Sequence, residues 1–65
     1  MNIGSRLKMK REARNLSQED IAEHLNITQA SYSRLESGFT KPDLKKLQKL
    51  AEIFGVSLVH LITGE

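Results

Sequence analysis

The 65-residue sequence contains no cysteine, no tryptophan and a single proline. Without cysteine, neither a disulfide nor a thiolate zinc site can stabilise what must be a small core. The longest unbroken apolar runs are two residues, far short of the roughly 20 that a membrane-spanning helix needs. Residues 1–5 also lack the basic and then apolar layout of a signal peptide. We therefore expect one domain, residues 1–65, that acts in the cytoplasm without a membrane and depends on helix packing and good caps.

Charge is unevenly distributed along the chain, although its net value is only +2. Residues 1–15 carry a net charge of +4, residues 16–37 carry −3, and residues 38–50 carry +3. Two basic segments around a mixed centre could contact a phosphate backbone on both sides. They could equally be ordinary solvated helix surfaces, so charge alone leaves both interpretations open.

Apolar spacing and helix-end residues predict five helices, and no alternating strand pattern is present. The first helix is expected over about residues 4–15, where Ile3 and Leu7 begin an apolar stripe. Leu44 and Phe54 are expected on the apolar face of the fourth helix. The predicted N-caps are Ser17, Thr28, Asp43 and Ser57, and the predicted stops are Asn26, Gly38, Gly55 and Gly64. The sequence therefore predicts an all-α fold, a compact bundle of five helices.

The second and third predicted helices are separated only by Asn26 and Ile27. Because this turn is too short for an antiparallel pair, the two helices must cross steeply, as in a helix-turn-helix motif over about residues 17–37. The second helix of such a motif can project from the domain and enter the major groove of DNA.

A helical wheel divides the third helix into two sides. Its inner side holds Tyr32, Leu35 and Glu36, and its outer side is small and polar. Gln can pair with adenine and Arg with guanine through two hydrogen bonds each. The alternative is a solvated helix surface, but the tight turn favours reading of bases. The outer residues are Gln29 at the border, Ala30, Ser33, Arg34 and Ser37.

Two charges fall on predicted buried faces. Arg11 lies four residues after Leu7, and Glu36 lies four residues after Tyr32. An unpaired buried charge is expensive, so we expect Arg11 and Glu36 to form an ion pair across the core. The alternative is that the Arg11 side chain extends along the surface into solvent.

The stretch LSQEDIAEHLNITQASYSRLESG, followed by KPDLKKLQKLAEIFGVS, resembles the phage-repressor and Cro-type helix-turn-helix family, also called XRE-like. The resemblance covers about Ile3 to Ile62 and includes the expected Arg11 and Glu36 pair. It implies a lambda-repressor-like DNA-binding domain. It also implies sequence-specific binding of double-stranded DNA by a repressor-type transcriptional regulator, which reads the major groove as a homodimer with the helix Thr28–Ser37.

The resemblance also implies roles for individual residues. The base edges would be contacted by Gln29, Ala30, Ser33 and Arg34. The phosphates would be contacted by Lys10, Ser17, Gln18, Thr28, Ser37, Thr40 and Lys41.

Some positions depart from the family pattern. Asn26 stands in place of the usual glycine, which a left-handed cap tolerates. Phe39 stands where a basic or polar residue is usual, and it would either fill a gap in the core or join an interface. Because relatives commonly dimerise near the last helix, Leu58, Val59 and Ile62 are candidates for a two-fold contact. Alternatively, Leu58 and Ile62 only close the core.

Other functions are less well supported by the sequence. His24 and His60 are the only histidines; they lie on different predicted helices without metal-ligand spacing, and His24 is expected on the solvent side. No nucleophile elbow or glycine-rich phosphate loop is present, so we expect no enzyme activity, no metal and no cofactor. The serious alternative is an antitoxin-like or other protein-interaction module on the same fold, which exposed Phe39 and Val59 would suit. Binding to DNA, unlike an apolar protein contact, would weaken steeply with salt.

Overall fold

The computed structural model describes residues 2–65, so Met1 of the predicted domain lies outside the described residues. Within residues 2–65 the secondary structure is entirely helical, which confirms the predicted all-α fold of five helices. None of these helices is long and apolar enough to cross a bilayer. The helices are α1 Ile3–Ala13, α2 Gln18–Leu25, α3 Gln29–Ser37, α4 Leu44–Phe54 and α5 Leu58–Thr63.

Every helix begins at a polar N-cap side chain that accepts a hydrogen bond from a backbone N–H three residues further on. Ser17 and Asp20 form a complete capping box, with distances of 3.0 Å and 2.9 Å for the two reciprocal bonds. At the other ends, α2 to α5 stop at residues in the left-handed conformation. The caps of α2 to α5 are the ones that the sequence predicts, whereas Asn2 at the start of α1 was not predicted.

α1 begins one residue before the predicted start and ends two residues before the predicted end. The helix begins at Ile3 because the Asn2 side chain accepts a hydrogen bond from the Ser5 N–H at 2.8 Å. It ends at Ala13, two residues early, and Asn15 then takes a positive φ of 56°. Asparagine tolerates that left-handed conformation, which turns the chain out of the helix.

A single apolar cluster draws residues from all five helices. Leu44, expected on the apolar face of α4, lies largely outside this cluster, since it is 58% exposed and is the first residue of the helix. Ile62, for which closing the core was one alternative, is 46% exposed. The largest fully buried side chains are Leu7, Ile21, Tyr32, Leu50, Phe54 and Leu61.

The N-terminal turn of α1 packs directly on the C-terminal turn of α3. A Cβ atom at Gly4 would overlap the backbone carbonyl oxygen of Glu36 and lie 2.7 Å from that of Leu35. Because backbone atoms cannot swing aside as a flexible side chain can, the contact requires glycine. This approach places α1 behind α3 and brings Arg11 within reach of Glu36.

α5 is held against α1 by polar contacts. The Nη1 atom of Arg6 donates to the carbonyl oxygens of Leu61 at 3.0 Å and Ile62 at 2.6 Å. These carbonyls belong to the last turn of α5, where helical partners are missing. One turn further along α1, Lys10 Nζ lies 2.9 Å from His60 Nε2. The short α5 is therefore fixed by side chains that are 50 to 56 residues away in sequence.

Candidate nucleic-acid interface

The turn between α2 and α3 has the geometry of a helix-turn-helix. Asn26 adopts φ 59° and ψ 42°, and its N–H donates to the carbonyl of Glu23 at 3.1 Å. The Ile27 N–H donates to Ala22 O at 3.0 Å, and the Ile27 side chain packs against the core. Thr28 then caps α3 by accepting a hydrogen bond from the Ser31 N–H. Asparagine at the left-handed position thus lets one helix end and the next begin within three residues.

The two sides of α3 differ as the helical wheel predicts. Tyr32, Leu35 and Glu36 are buried. On the outer side, Gln29, Ala30 and Arg34 are exposed, and Ser33 is half-buried. No ion pair within residues 2–65 involves Arg34. The outer side therefore offers one long cation and one amide among small side chains.

A buried ion pair joins the inner side of α3 to α1. Arg11 Nε donates to Glu36 Oε2 at 2.6 Å and Arg11 Nη2 donates to Glu36 Oε1 at 3.2 Å, as the spacing of these residues predicts. Their side chains are 11% and 4% exposed, so the alternative of an Arg11 side chain extended into solvent is wrong. Arg11 Nη1 also donates to the carbonyl of Leu16, just before α2. One guanidinium therefore joins α1, the start of α2 and α3.

Gln18 completes this cluster. Its Nε2 donates to Glu36 Oε1 at 3.1 Å. Burial alone would raise the pKa of Glu36. The hydrogen bond from Arg11, the neighbouring Tyr32 hydroxyl, the hydrogen bond from Gln18 and the positive charge of Arg11 together outweigh burial and hold that pKa below its ordinary value of 4.5. The carboxylate of Glu36 is thus ionised at neutral pH and fixes the first residue of α2 to the last turn of α3.

The Tyr32 hydroxyl is buried beside this cluster without a hydrogen-bond partner among the described residues. Burial raises its pKa, and the neighbouring Glu36 carboxylate raises it further. Tyr32 is fully buried and therefore serves the core rather than the outer side of α3.

Most residues predicted to contact phosphates lie at or near the ends of α2 and α3, whereas Lys10 lies on α1. Several of these residues have hydrogen-bond partners within the protein. The Ser17 hydroxyl belongs to the capping box, and Lys10 contacts His60. The hydroxyl of Ser37 donates to the Arg34 carbonyl at 3.1 Å, and the N–H of Thr40 donates to the same carbonyl at 3.2 Å. Lys41 is exposed and takes part in no ion pair among residues 2–65.

The candidates for a two-fold contact lie on α5. Val59 is 65% exposed and Ile62 is 46% exposed, whereas Leu58 is half-buried. Closing the monomer core is therefore mainly the task of Leu61, which is fully buried. The part of the chain that the structure describes contains no group of three acidic, histidine or cysteine side chains arranged to hold a metal ion. His24 is exposed, as expected.

Sequence reasoning missed several contacts that shape this region. Gly4 carried a signal, since glycine inside a helix lowers its stability and suggests a close approach. The Gln18 bond to Glu36 and the Arg6 bonds to α5 had no comparable signal, because they join residues far apart in the chain. Of the two alternatives for Phe39, filling a gap in the core is wrong, because its side chain is 79% exposed.

Two capped helices around a left-handed turn, with a buried ion pair behind the second, define a helix-turn-helix domain. The chain belongs to the helix-turn-helix family, whose family model matches residues 7–61. This confirms the resemblance predicted from the sequence.

Several curated proteins are similar to the chain. It is 44% identical over 62 residues to the SPbeta prophage-derived uncharacterized HTH-type transcriptional regulator YonR of Bacillus subtilis, covering 95% of the chain and 57% of that protein. It is 32% identical over 65 residues to the HTH-type transcriptional activator BcrR of Enterococcus faecalis, covering 100% of the chain and 32% of that protein. It is 30% identical over 61 residues to the cryptic phage CTXphi transcriptional repressor RstR of Vibrio cholerae, covering 94% and 55%.

The chain thus spans little more than half of YonR and RstR and about a third of BcrR. No solved structure gives a significant match to it.

Proposed function

We propose that the protein is a transcriptional regulator that binds double-stranded DNA in a sequence-specific manner, with residues 1–65 acting as one DNA-binding domain. The observation that carries this proposal is the outer side of α3, which is exposed, small and polar and is presented on a tight left-handed turn. Such a helix can approach base edges closely in the major groove. Family membership and relatives named as transcriptional regulators support it.

Within this proposal, two long side chains read bases. Gln29, in the first turn of α3, would pair with the N6 and N7 atoms of adenine, and Arg34 with O6 and N7 of guanine. Ala30 and Ser33 allow the helix to come close and contact the neighbouring base edges. Because two long readers per domain give limited discrimination, specificity requires two domains on one site.

The polar residues around α2 and α3 would position the domain on the phosphates. Gln18 illustrates how: its amide has two N–H groups, and one of them is bound to Glu36. The second can donate to a phosphate near the N-terminus of α2, where the helix dipole favours an anion. The remaining proposed phosphate contacts are Lys10, Ser17, Thr28, Ser37, Thr40 and Lys41.

We further propose that two copies bind as a homodimer through α5, with Leu58, Val59 and Ile62 at the two-fold contact. The exposed apolar side chains of Val59 and Ile62 support this, since burying them between copies removes apolar surface from water. Two-fold symmetry would place the two α3 helices on half-sites about one helical turn apart. The operator would then be approximately palindromic.

The proposed effect on transcription is repression. Blocking a promoter needs only occupancy of the DNA, which two copies of this domain on the operator would supply. The name of RstR describes a repressor, and that of BcrR an activator. A promoter-reporter assay with the operator overlapping the promoter tests the direction: expression should fall when the protein is present. We also propose that the protein acts on DNA in the cytoplasm.

The second candidate is a protein-interaction module of the antitoxin-like kind, which exposed Phe39 and Val59 favour. Selection from random duplex DNA, followed by titration of the enriched site at several salt concentrations, separates the two. DNA binding predicts an enriched motif and a logarithmic affinity that falls linearly with logarithmic salt. Base reading by α3 would be contradicted if the wild type enriched no motif. It would also be contradicted if a variant with both Gln29→Ala and Arg34→Ala enriched the same motif as the wild type.

A further inference from the structure

The segment that leaves α3 carries the most exposed of the large apolar side chains. Phe39 is 79% exposed, whereas the other two aromatic residues, Tyr32 and Phe54, are fully buried. The one ring that lies under a cation within residues 2–65 is Phe54, below Arg14 at 5.7 Å. Phe39 therefore contributes little to the core, and its ring is available to a partner.

The backbone around Phe39 is held by hydrogen bonds to the C-terminal turn of α3. The Ser37 hydroxyl donates to the carbonyl of Arg34 and accepts a hydrogen bond from the Phe39 N–H at 3.4 Å. The next residue, Thr40, donates its N–H to the same carbonyl of Arg34 at 3.2 Å. Phe39 is thus held between residues that we propose to contact DNA, rather than on a separate surface.

The charge near Phe39 favours a polyanion as the partner. Lys41 follows two residues later and is exposed. Asp43, the acidic residue of this connector, accepts hydrogen bonds from Lys46 through its carboxylate, at 2.8 Å from the backbone N–H and 3.3 Å from Nζ. Its negative charge is therefore partly compensated within the protein and opposes an approaching phosphate less.

We propose that Phe39 is a further DNA-contacting residue, whose ring packs on the deoxyribose carbons of the backbone beside the phosphates bound by Thr40 and Lys41. The inference rests on the proposed DNA-binding function. A sugar contact is independent of base sequence, as phosphate contacts are. Because it involves no charge, it releases no counterion, so it strengthens binding without making binding more salt-dependent.

The first test is a set of three variants titrated with the enriched duplex and with a random duplex at several salt concentrations. Phe39→Ala should weaken binding to both duplexes by about 3- to 10-fold, the usual scale for a lost apolar contact, and should leave the salt slope unchanged. Phe39→Lys should steepen the slope by about one unit, because it adds one phosphate contact. Met9→Ala, which removes a 56% exposed side chain from α1, should change neither affinity nor slope.

The second test uses the absence of tryptophan from the sequence. Phe39→Trp introduces a single fluorophore at the proposed contact, and its emission should change on addition of duplex and saturate at the stoichiometry of binding. Emission that stays constant while anisotropy of labelled DNA reports binding would overturn the proposal. Affinity of Phe39→Ala within twofold of the wild type would overturn it as well.

These outcomes are separable from failure of the proposed function, because that function fails only when the wild type itself shows no salt-dependent binding of DNA. The alternative is that Phe39 contacts a second copy of the chain. Sedimentation of wild type and Phe39→Ala without DNA tests this alternative. A loss of self-association in this variant would assign Phe39 to a protein contact and overturn the proposal. Thermal melting should be unchanged in Phe39→Ala, which shows that any effect is on binding rather than on folding.

Discussion

The two sides of α3 differ sharply although they belong to one helix of nine residues. The inner side consists of Tyr32, Leu35 and Glu36, which are 0%, 4% and 8% exposed. The outer side is exposed at Gln29, Ala30 and Arg34. Each side carries one charge, but Glu36 is paired with Arg11 whereas Arg34 has no ion pair among the described residues. The inner side of α3 therefore stabilises the fold, and the outer side is available to a partner.

The largest effect is expected on the inner side. Glu36→Ala should lower the free energy of unfolding by about 3–5 kcal/mol, because it leaves the Arg11 guanidinium buried without its counter-charge. Chemical denaturation followed by circular dichroism measures this. Glu52→Ala is the matched control, since Glu52 is exposed on α4 and surface substitutions usually change stability by less than about 0.5 kcal/mol. Equal stability of the two variants would show that the buried Glu36 contributes no more to folding than the exposed Glu52.

The contribution of Glu36 to stability should also depend on pH, with a smaller expected effect. The pKa of Glu36 is lower in the folded protein than its ordinary value of 4.5, so the unfolded chain binds its proton first as pH falls. The stabilisation by ionised Glu36 is therefore fully present above the ordinary pKa of 4.5. It is lost as the pH falls through the lower pKa of the folded protein. The difference in unfolding free energy between wild type and Glu36→Gln should narrow in acid. A difference that stays constant from neutral pH to pH 3 would contradict a depressed pKa.

Gly4→Ala tests the packing behind α3. Alanine would favour the helix by up to about 1 kcal/mol over glycine in an open position. Here its Cβ meets the backbone carbonyls of Leu35 and Glu36, so we expect a net loss of about 1–3 kcal/mol, the scale of an overpacked core. Ser5→Ala, at an exposed neighbouring position, is the control. A Gly4→Ala variant that is more stable than wild type would show that α1 does not need this close approach.

On the outer side, substitution should change recognition and leave stability alone. Arg34→Lys keeps the charge but loses the two-pronged hydrogen bonding, so discrimination at one position of each half-site should fall by about 1–3 kcal/mol. The salt slope and the melting temperature should stay as in the wild type. Selection from randomised sites measures the discrimination. If Arg34→Lys keeps the wild-type preference at every position, Arg34 contacts phosphate rather than a base.

Much of the fold was predictable because the relevant signals are local. A cap such as Ser17 bonds a backbone group three residues away, and Asn26 takes its left-handed conformation within its own turn. The buried faces follow from helical periodicity, which also predicted Glu36 opposite Arg11. The limits of α1 were missed because Asn2 and Asn15 were not interpreted as a cap and a left-handed stop. Leu44 was assigned to the apolar face of α4 by the same periodicity, which does not show that the first residue of a helix can lie outside the core.

The sequence by itself determined that α3 has an inner and an outer side, because side-chain spacing along a helix fixes which residues share a face. It also determined where α2 stops and α3 begins, through the backbone preference of Asn26. Only the tertiary structure decided that Gln18 binds Glu36, that Gly4 lies on the end of α3 and that Phe39 stays in solvent. These depend on how whole helices dock, and docking brings together residues whose separation in the chain carries no periodic signal.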